Sequence, residues 1–323
     1  MSKFNTLVRV LKEDREILPQ LVVDNLVRKK LLDWLPDAAF LKLRYWAIFH
    51  KKLNLNNPKT FNEKMQWLKL YDRDSRYVEL VDKHLVKLYI KEQIGEQYVI
   101  PTLGKWDSVD QIDKDALPEQ FVLKCNHDSG SVVICRDKSK FDWKKAEEKL
   151  TNKLKKGIFG FGREWPYKHV KPCIIAEAYM EDETQKNGLT DYKFYCFGGE
   201  PKFLYVSKGL EDHNTASISF LNMDWTLADF RRMDFAPLQE CPTKPKTYDL
   251  MVQFAKQLSK GIPFLRVDMY EICGKLYFSE LTFYPSSGFT PFVPEKWDEI
   301  IGSWIELPPN KRGGKKSEAM HNE

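Results

Sequence analysis

The segment from Phe264 to Thr282, FLRVDMYEICGKLYFSELT, holds the residues best suited to do chemistry. A Gly-containing break at Cys273-Gly274-Lys275 separates two apolar runs, which predicts a β-hairpin. With those three residues as the turn, Ile272 faces Leu276, Tyr270 faces Phe278, Asp268 faces Glu280 and Arg266 faces Thr282. Alternation then puts Arg266, Asp268, Glu280 and Thr282 on one face, at the end far from the turn. Two facing carboxylates repel each other and are costly among apolar neighbours. A hard divalent cation relieves both, because magnesium typically takes one or two carboxylates together with substrate phosphates. Arg266 beside them suits negative charge that develops in phosphoryl transfer. The same residues also fit a solvated hairpin, or one in which Arg266 neutralises both acids, and a one-residue slip would part Asp268 from Glu280.

A second candidate is FVLKCNHDSGSVVIC, residues 121–135. Lys124 ends an apolar strand, and the polar turn from Asn126 to Ser131 offers backbone N–H groups and hydroxyls around Gly130. A phosphate-covering turn needs such groups, with the lysine as a point charge; an ordinary hairpin loop beside an exposed lysine has the same composition. His127 has no partner nearby in sequence and reads as a loop histidine bonded locally. Glu177, at the end of the apolar run Cys173–Ala176, either accepts a hydrogen bond from a nucleotide or terminates a buried strand. Walker A spacing is absent, and the glycines of Gly157-Ile-Phe-Gly-Phe-Gly162 follow a basic helical stretch and no strand, so they are no dinucleotide fingerprint.

These residues need elements to position them. From Leu18 to about Lys42, Leu21, Val22, Leu26, Leu31, Leu32 and Leu35 recur at helical spacing around Arg28, Lys29 and Lys30, predicting one or two amphipathic basic helices. Such a helix packs on the body of the protein or docks on an anionic membrane surface as a peripheral contact. Thr60, with Glu63 three residues later, predicts a capping-box start to a helix through Leu70. Rows of apolar residues from Tyr77 to about Ile94 predict one helix, with Lys83 and Lys87 a turn apart on its other side. Beyond Pro101, short runs at Phe121–Cys125, Val132–Cys135, Cys173–Glu177, Tyr192–Phe197, Lys202–Val206, Phe264–Glu271 and Leu276–Phe283 read as strands joined mainly by hairpins. A helix from Thr247 to about Ser259 precedes the last hairpin. The fold class is α+β, antiparallel sheets with flanking helices, preceded by an N-terminal helical region. The expected divisions are an N-terminal amphipathic helical region at 1–56, a linker subdomain at 57–120, a nucleotide-binding and catalytic region at 121–309, and a disordered Gly- and Lys-rich tail at 310–323.

The 323 residues are 42% hydrophobic and 13% aromatic, enough to bury a core. The net charge of +5, from 51 basic against 46 acidic residues, is too slight for a nucleic-acid binder but compatible with anionic substrates. The six cysteines contain no C-x-x-C pair, so they signal neither a zinc site nor a disulfide framework, and a reducing cytoplasm fits them best. No run of apolar residues is long enough to span a membrane.

In order, the motifs resemble an ATP-grasp enzyme, and their wording is closest to the TupA-like ATP-grasp family associated with cell-surface polysaccharide and teichuronopeptide synthesis. The matching stretches are Asn57-Pro-Lys-Thr-Phe-Asn-Glu-Lys64, Asp82-Lys83, Leu117-Pro118 with residues 121–130, Arg163-Glu-Trp165 with Tyr167-Lys168, Ala176-Glu177, residues 191–198, and Arg266-Val-Asp268 through Glu280-Leu-Thr-Phe-Tyr-Pro285. The resemblance implies ATP and Mg2+ as cofactors. It implies Lys83 and Lys124 as phosphate-binding lysines, and Asp128, Ser129, Gly130 and Ser131 as the loop over the triphosphate. Glu177 with its neighbour Tyr179 corresponds to the adenine hinge, and Asp191 and Lys193 to the ribose and phosphate region. Arg266 corresponds to the transition-state arginine, with Lys124 also catalytic, and Asp268 and Glu280 to the metal carboxylates. Thr282 stands where a metal-ligating Asn is usual, a poorer ligand that puts a second magnesium in question. Ser286, Ser287 and Gly288 follow as candidates for acceptor contact.

The chemistry so implied is attack of a carboxylate on the γ-phosphate of ATP and capture of the acyl phosphate by an amine, with a uronic-acid-type carboxylate and an amino acid as the substrates. A nucleotide-sugar glycosyltransferase is the rival, since Asp72-Arg-Asp74 has the D-x-D pattern; its position between helices favours an ordinary turn. A non-catalytic assembly scaffold with a vestigial nucleotide site is the third reading.

Overall fold

A computed structural model of the chain describes residues 15–182, 188–208, 217–238 and 240–309. The expected disordered tail and the first residues of the N-terminal region lie outside the described residues.

The helical stretch after Leu18 is two helices, α1 (Leu18–Arg28) and α2 (Asp37–Phe49). Lys30, with φ of 60°, turns the chain after α1, and Pro36 sits at the N-cap of α2. Val23 and Val27 of α1 and Phe40, Leu41 and Tyr45 of α2 share an apolar cluster with Leu53, Leu70 and Phe289. The next helix, α3 (Phe61–Tyr71), starts with the expected capping box: Glu63 N donates to Thr60 Oγ1 at 3.1 Å and Thr60 N to Glu63 Oε2 at 3.2 Å.

The single helix expected from Tyr77 to Ile94 is instead two, α4 (Arg76–Val81) and α5 (Val86–Gln93). Asp82 causes the break. Its Oδ1 accepts the amides of His84 and Leu85, at 2.7 and 3.2 Å, and its Oδ2 accepts Asn126 Nδ2 at 2.8 Å. A side chain that competes for backbone amides in this way ends a helix. Lys83 N then donates to Asn126 O, so Lys83 leaves the helical row and joins the loop after the lysine strand.

Two antiparallel sheets follow. The smaller has the order β1-β4-β2-β3, from β1 (Thr102–Trp106), β2 (Phe121–Cys125), β3 (Val133–Cys135) and β4 (Ile174–Ala178). β1 lies before the expected boundary at residue 121 and pairs with β4 beyond it. Helix α6 (Trp143–Leu154), capped by Asp142, packs Leu150 against Phe121, Leu123 and Ile174; a short helix α7 (Phe159–Gly162) comes next. The larger sheet has the order β10-β9-β5-β6-β7, from β5 (Asp191–Phe197), β6 (Glu200–Lys208), β7 (Ser217–Asn222), β9 (Phe264–Ile272) and β10 (Lys275–Thr282). Helix α8 (Tyr248–Ser259) buries Met251, Phe254, Ala255 and Leu258 in the cluster formed with this sheet. A two-stranded piece, β8 (Arg231–Arg232) with β11 (Phe292–Val293), and helix α9 (Lys296–Ser303) complete the described fold. The α+β expectation holds, and no helix among the described residues is long and apolar enough to cross a membrane.

Candidate active site

The β9–β10 hairpin differs from expectation in its turn and agrees in its outcome. Lys275 pairs with Ile272, leaving Cys273-Gly274 as a two-residue turn with φ of 50° and 74°, the left-handed pair that a tight hairpin turn requires. Pairing then runs one residue out of the expected register, to Phe278 opposite Met269. A bulge at Ser279 inserts one residue into β10, and Glu280 faces Asp268 while Thr282 faces Arg266.

Arg266 closes this end of the hairpin. Its Nε donates to Asp268 Oδ1 at 2.7 Å, and its Nη2 to Asp268 Oδ2 at 2.6 Å, Glu280 Oε1 at 3.0 Å and Thr282 Oγ1 at 2.9 Å. From the neighbouring β5, Lys193 Nζ reaches Asp268 Oδ2 at 2.9 Å and Asp191 Oδ1 at 3.0 Å. Asp268 is fully buried, whereas Glu280 keeps 38% of its side chain open. Burial works against the Glu280 anion, but Arg266, Lys193 and Lys83 outweigh it and hold the carboxyl down at about 2. Burial opposes the charge on Lys193 too, and Asp191 and Asp268 raise its pKa well above the lysine range. For Asp191 burial wins over Lys193 and pushes its carboxyl upward.

The lysines meet on the smaller sheet. Glu177 of β4 receives Lys124 Nζ on Oε2 and Lys87 Nζ on Oε1, each at 2.6 Å. Lys87 also donates to Ile100 O at 2.8 Å and Thr102 Oγ1 at 3.1 Å. Burial disfavours the Glu177 anion, yet Lys124 and Lys87 keep its pKa below the usual range. Both of its oxygens are thus engaged by lysines, and the side chain clamps two strands and a helix together. Lys83 Nζ donates to Asp128 O and lies within electrostatic reach of Glu280 and Glu177, which connects the two sheets. In the loop, Ser131 Oγ donates to Asp128 Oδ1 at 2.5 Å and accepts Cys125 N at 2.8 Å, while Gly130 adopts a φ of 87°. His127 is buried, with Nδ1 3.3 Å from Asn126 Oδ1, the local contact expected of it. The Tyr179 hydroxyl accepts Arg136 Nε at 2.9 Å.

Beyond Thr282, Ser286, Ser287 and Gly288 are three consecutive left-handed residues, with φ of 47°, 57° and 62°. Helix α3 holds them from beneath. Lys69 Nζ donates to Ser287 O at 2.6 Å and Ser287 Oγ at 3.0 Å, and Gln66 Nε2 to Gly288 O at 2.6 Å. Burial lowers the pKa of Lys69 and raises that of its neighbour Glu164. A Cβ on Gly162 would stand 2.0 Å from Ser287 Oγ, so a side chain there would push this hydroxyl out of its position. Lys69, Lys87 and Glu164 were not identified as functional from the sequence. Lys87 was visible four residues after Lys83, but nothing local tied it to Glu177. The D-x-D residues serve their own turn: Asp74 Oδ2 takes Arg76 Nη2 at 2.7 Å, and Asp72 Oδ2 accepts the Tyr77 hydroxyl at 3.0 Å.

Among the described residues no group of three or more His, Cys, Asp or Glu side chains converges to hold a metal. Arg266 Nη2 bridges the two carboxylates of Asp268 and Glu280, at 2.6 and 3.0 Å, and Thr282 Oγ1 lies 3.2 Å from Glu280 Oε1. This donor set fits one magnesium, whose remaining ligands are phosphates and water; Glu280 presents the open, ionised carboxylate, and Asp268 is held by Arg266 and Lys193.

Two antiparallel sheets, the smaller carrying Lys124 and Glu177 and the larger Arg266, Asp268 and Glu280, form an ATP-grasp fold, a class of ATP-dependent ligases. The chain belongs to the TupA-like ATP-grasp family, whose model matches residues 63–306. Among solved structures it is similar to D-alanine–D-alanine ligase from Helicobacter pylori, at 15% identity and a TM-score of 0.38 over 76% of this chain and 69% of that one. It is also similar to the Bacillus anthracis D-alanine–D-alanine ligase complexed with ATP, at 14% and 0.36 over 64% of this chain and 54% of that one. A third is the ATP-grasp ligase PsnB with minimal precursor, Mg and ADP, at 10% and 0.36 over 79% of this chain and 64% of that one. No curated protein matches the sequence.

Proposed function

We propose that this chain is an ATP-dependent carboxylate–amine ligase that joins an amino acid to a uronic-acid-type carboxylate in cell-surface polysaccharide biosynthesis. The observation that carries the ligase reading is the position of Lys83, within electrostatic reach both of Glu280, which shares Arg266 with Asp268, and of Glu177, which holds Lys124. A substrate carboxylate oxygen attacks the γ-phosphorus, the bond to the bridging oxygen breaks, and ADP leaves. An amine then attacks the acyl carbon, phosphate leaves, and the nitrogen gives up a proton. Little covalent work falls to the protein, and the transfer depends on position and charge.

In this reading Lys83, Lys124 and the loop Asp128–Ser131 hold the triphosphate, and Asp191 and Lys193 lie beside it. Arg266 steadies charge on the transferring group, and Ser286, Ser287 and Gly288 meet the acceptor. Glu280 and Asp268 would hold magnesium, with Thr282 at its edge; the ion supplies neutralisation of phosphate charge. Support for an anionic carbohydrate comes from the resemblance of the ordered motifs to a family associated with cell-surface polysaccharide synthesis and from the mild positive charge. Exposed Leu21, Val22 and Trp34, with Arg28, Lys29 and Lys30 close in sequence, support peripheral contact with an anionic membrane on the cytoplasmic side.

The direct test measures ADP release from Mg-ATP in the presence of glucuronic or galacturonic acid and a mixture of amino acids. The reading requires that release depend on both additions. Turnover of a nucleotide sugar without ATP consumption would replace it with the transferase. Mg-ATP should also raise the thermal midpoint, and Asp268→Asn and Glu280→Gln should abolish that rise.

A further inference from the structure

Helix α6 sends Lys149 and Lys153, one turn apart, along the outside of the loop that follows β2. Lys149 Nζ donates to Val132 O at 2.8 Å, and Lys153 Nζ to Ser129 O at 3.2 Å. Lys153 Nζ also lies 3.4 Å from Asp128 Oδ2, an oxygen that is buried and accepts no hydrogen bond among the described residues. On the other side of the loop, Lys83 donates to Asp128 O. Two lysines, one from the turn between α4 and α5 and one from α6, therefore take the successive carbonyls of Asp128 and Ser129. Gly130 supplies the φ of 87° that turns the chain between these contacts.

The carboxylate of Asp128 is out of place in a triphosphate loop. Only 3% exposed, it adds negative charge where phosphates would arrive. Its position on Lys153 gives it a use. A lysine ammonium is a compact charge with three donors, and it exchanges one anionic oxygen for another with little rearrangement. A polyphosphate carries more charge than a carboxylate and is the stronger partner.

We propose that Lys153 is a third phosphate-binding lysine, and that Asp128 occupies it in the nucleotide-free chain as a stand-in for a phosphate oxygen. Binding of the nucleotide breaks the Lys153–Asp128 contact and transfers the ammonium to the phosphates. The loop then gains at Lys153 the anchor that its single glycine alone does not supply. The inference rests on the ATP-binding reading of the site.

The test is calorimetric titration of the full-length protein and its variants with Mg-ATP, Mg-ADP and AMP. Lys153→Met should raise the Kd for Mg-ATP about tenfold and leave AMP unchanged, and Lys153→Arg should restore most of the loss. Asp128→Asn keeps an acceptor for Ser131 Oγ and should lower the Kd for Mg-ATP several-fold. In the Lys153→Met background that gain should shrink to what relief of the Asp128 repulsion alone supplies, because there is no ammonium left to release. An unchanged Kd in Lys153→Met, weaker binding in a folded Asp128→Asn, or an undiminished gain in the double variant each overturns the proposal. Should Asp128→Asn fail to fold, the Lys153→Met and Lys153→Arg pair decides. If the wild-type chain binds no Mg-ATP, the ATP reading itself falls, an outcome separate from all of these.

Discussion

Glu177 holds Lys124 on one carboxylate oxygen and Lys87 on the other, each at 2.6 Å, and is itself only 6% exposed. One buried anion thus compensates two cations from different elements, and removing its charge strands both. Glu177→Gln should cost about 3 kcal/mol of stability, the range for breaking a buried ion pair. Saturating Mg-ATP should recover part of that loss, because the triphosphate brings negative charge back to Lys124. Chemical denaturation with and without Mg-ATP measures both terms; equal midpoints for variant and wild type would mean the clamp carries no energy.

Arg266 uses its planar fork to reach Asp268 twice and Glu280 and Thr282 once each. Lysine keeps the charge and loses that geometry. Arg266→Lys should slow ADP release by on the order of 10²-fold, the scale of losing one preorganised charge contact. Thermal stabilisation by Mg-ATP should stay near the wild-type value. A loss of nucleotide stabilisation as large as the loss of rate would assign Arg266 to ground-state binding.

Lys69 lies fully buried beneath Ser287. Burial pushes its ammonium down to about 7, with Glu164 opposing and Arg44 assisting the shift. The unfolded chain therefore binds a proton that the folded chain lacks between about 7 and the ordinary lysine range, so this group makes stability rise with pH across that window. Lys69→Met should remove that rise. Denaturation midpoints of both proteins at intervals from neutral to alkaline pH check the sign, and parallel curves would show that Lys69 keeps its ordinary affinity for protons.

Gly288 combines a φ of 62° with a close neighbour, since a Cβ there would stand 2.4 Å from Met65 Cβ and 2.6 Å from Gln66 Nε2. Gly288→Ala adds strain and overpacking together and should cost about 2 kcal/mol. Acceptor-dependent ADP release should fall much further than Mg-ATP stabilisation, because the turn, and not the nucleotide loop, is displaced. Equal losses in both would place the turn's effect on the whole site.

Local chemistry in the sequence was enough for the capping box at Thr60 and Glu63, the strands β2, β4, β5, β9 and β10, the helix before the last hairpin, and the ordered motifs that identify the family. Each depends on neighbours a few residues apart. β1 was not legible: Thr102–Trp106 buries no side chain, contains Gly104 and has no alternation, and it is a strand only because β4 pairs with it. The break at Asp82 was hidden for a similar reason. Apolar residues continue at helical spacing across it, and part of what holds the non-helical turn is Asn126, remote in the chain.

The pairing of Asp268 with Glu280 shows both contributions. Alternation and turn residues determined that two strands would bring the acids near each other, but the assumed three-residue turn is a two-residue one, and the offset it creates is cancelled by the bulge at Ser279. Turn type and bulge depend on sheet twist and on the packing of β9 against β5, which no short segment encodes. Residue types alone determined that acids, lysines and an arginine were available. Only the tertiary structure decided their partners: Arg266 across both acids, Lys87 and Lys124 on one glutamate, and Lys69 beneath the turn. Ion pairs among buried groups are selected by which elements meet and how completely water is excluded, and both are properties of the assembled core.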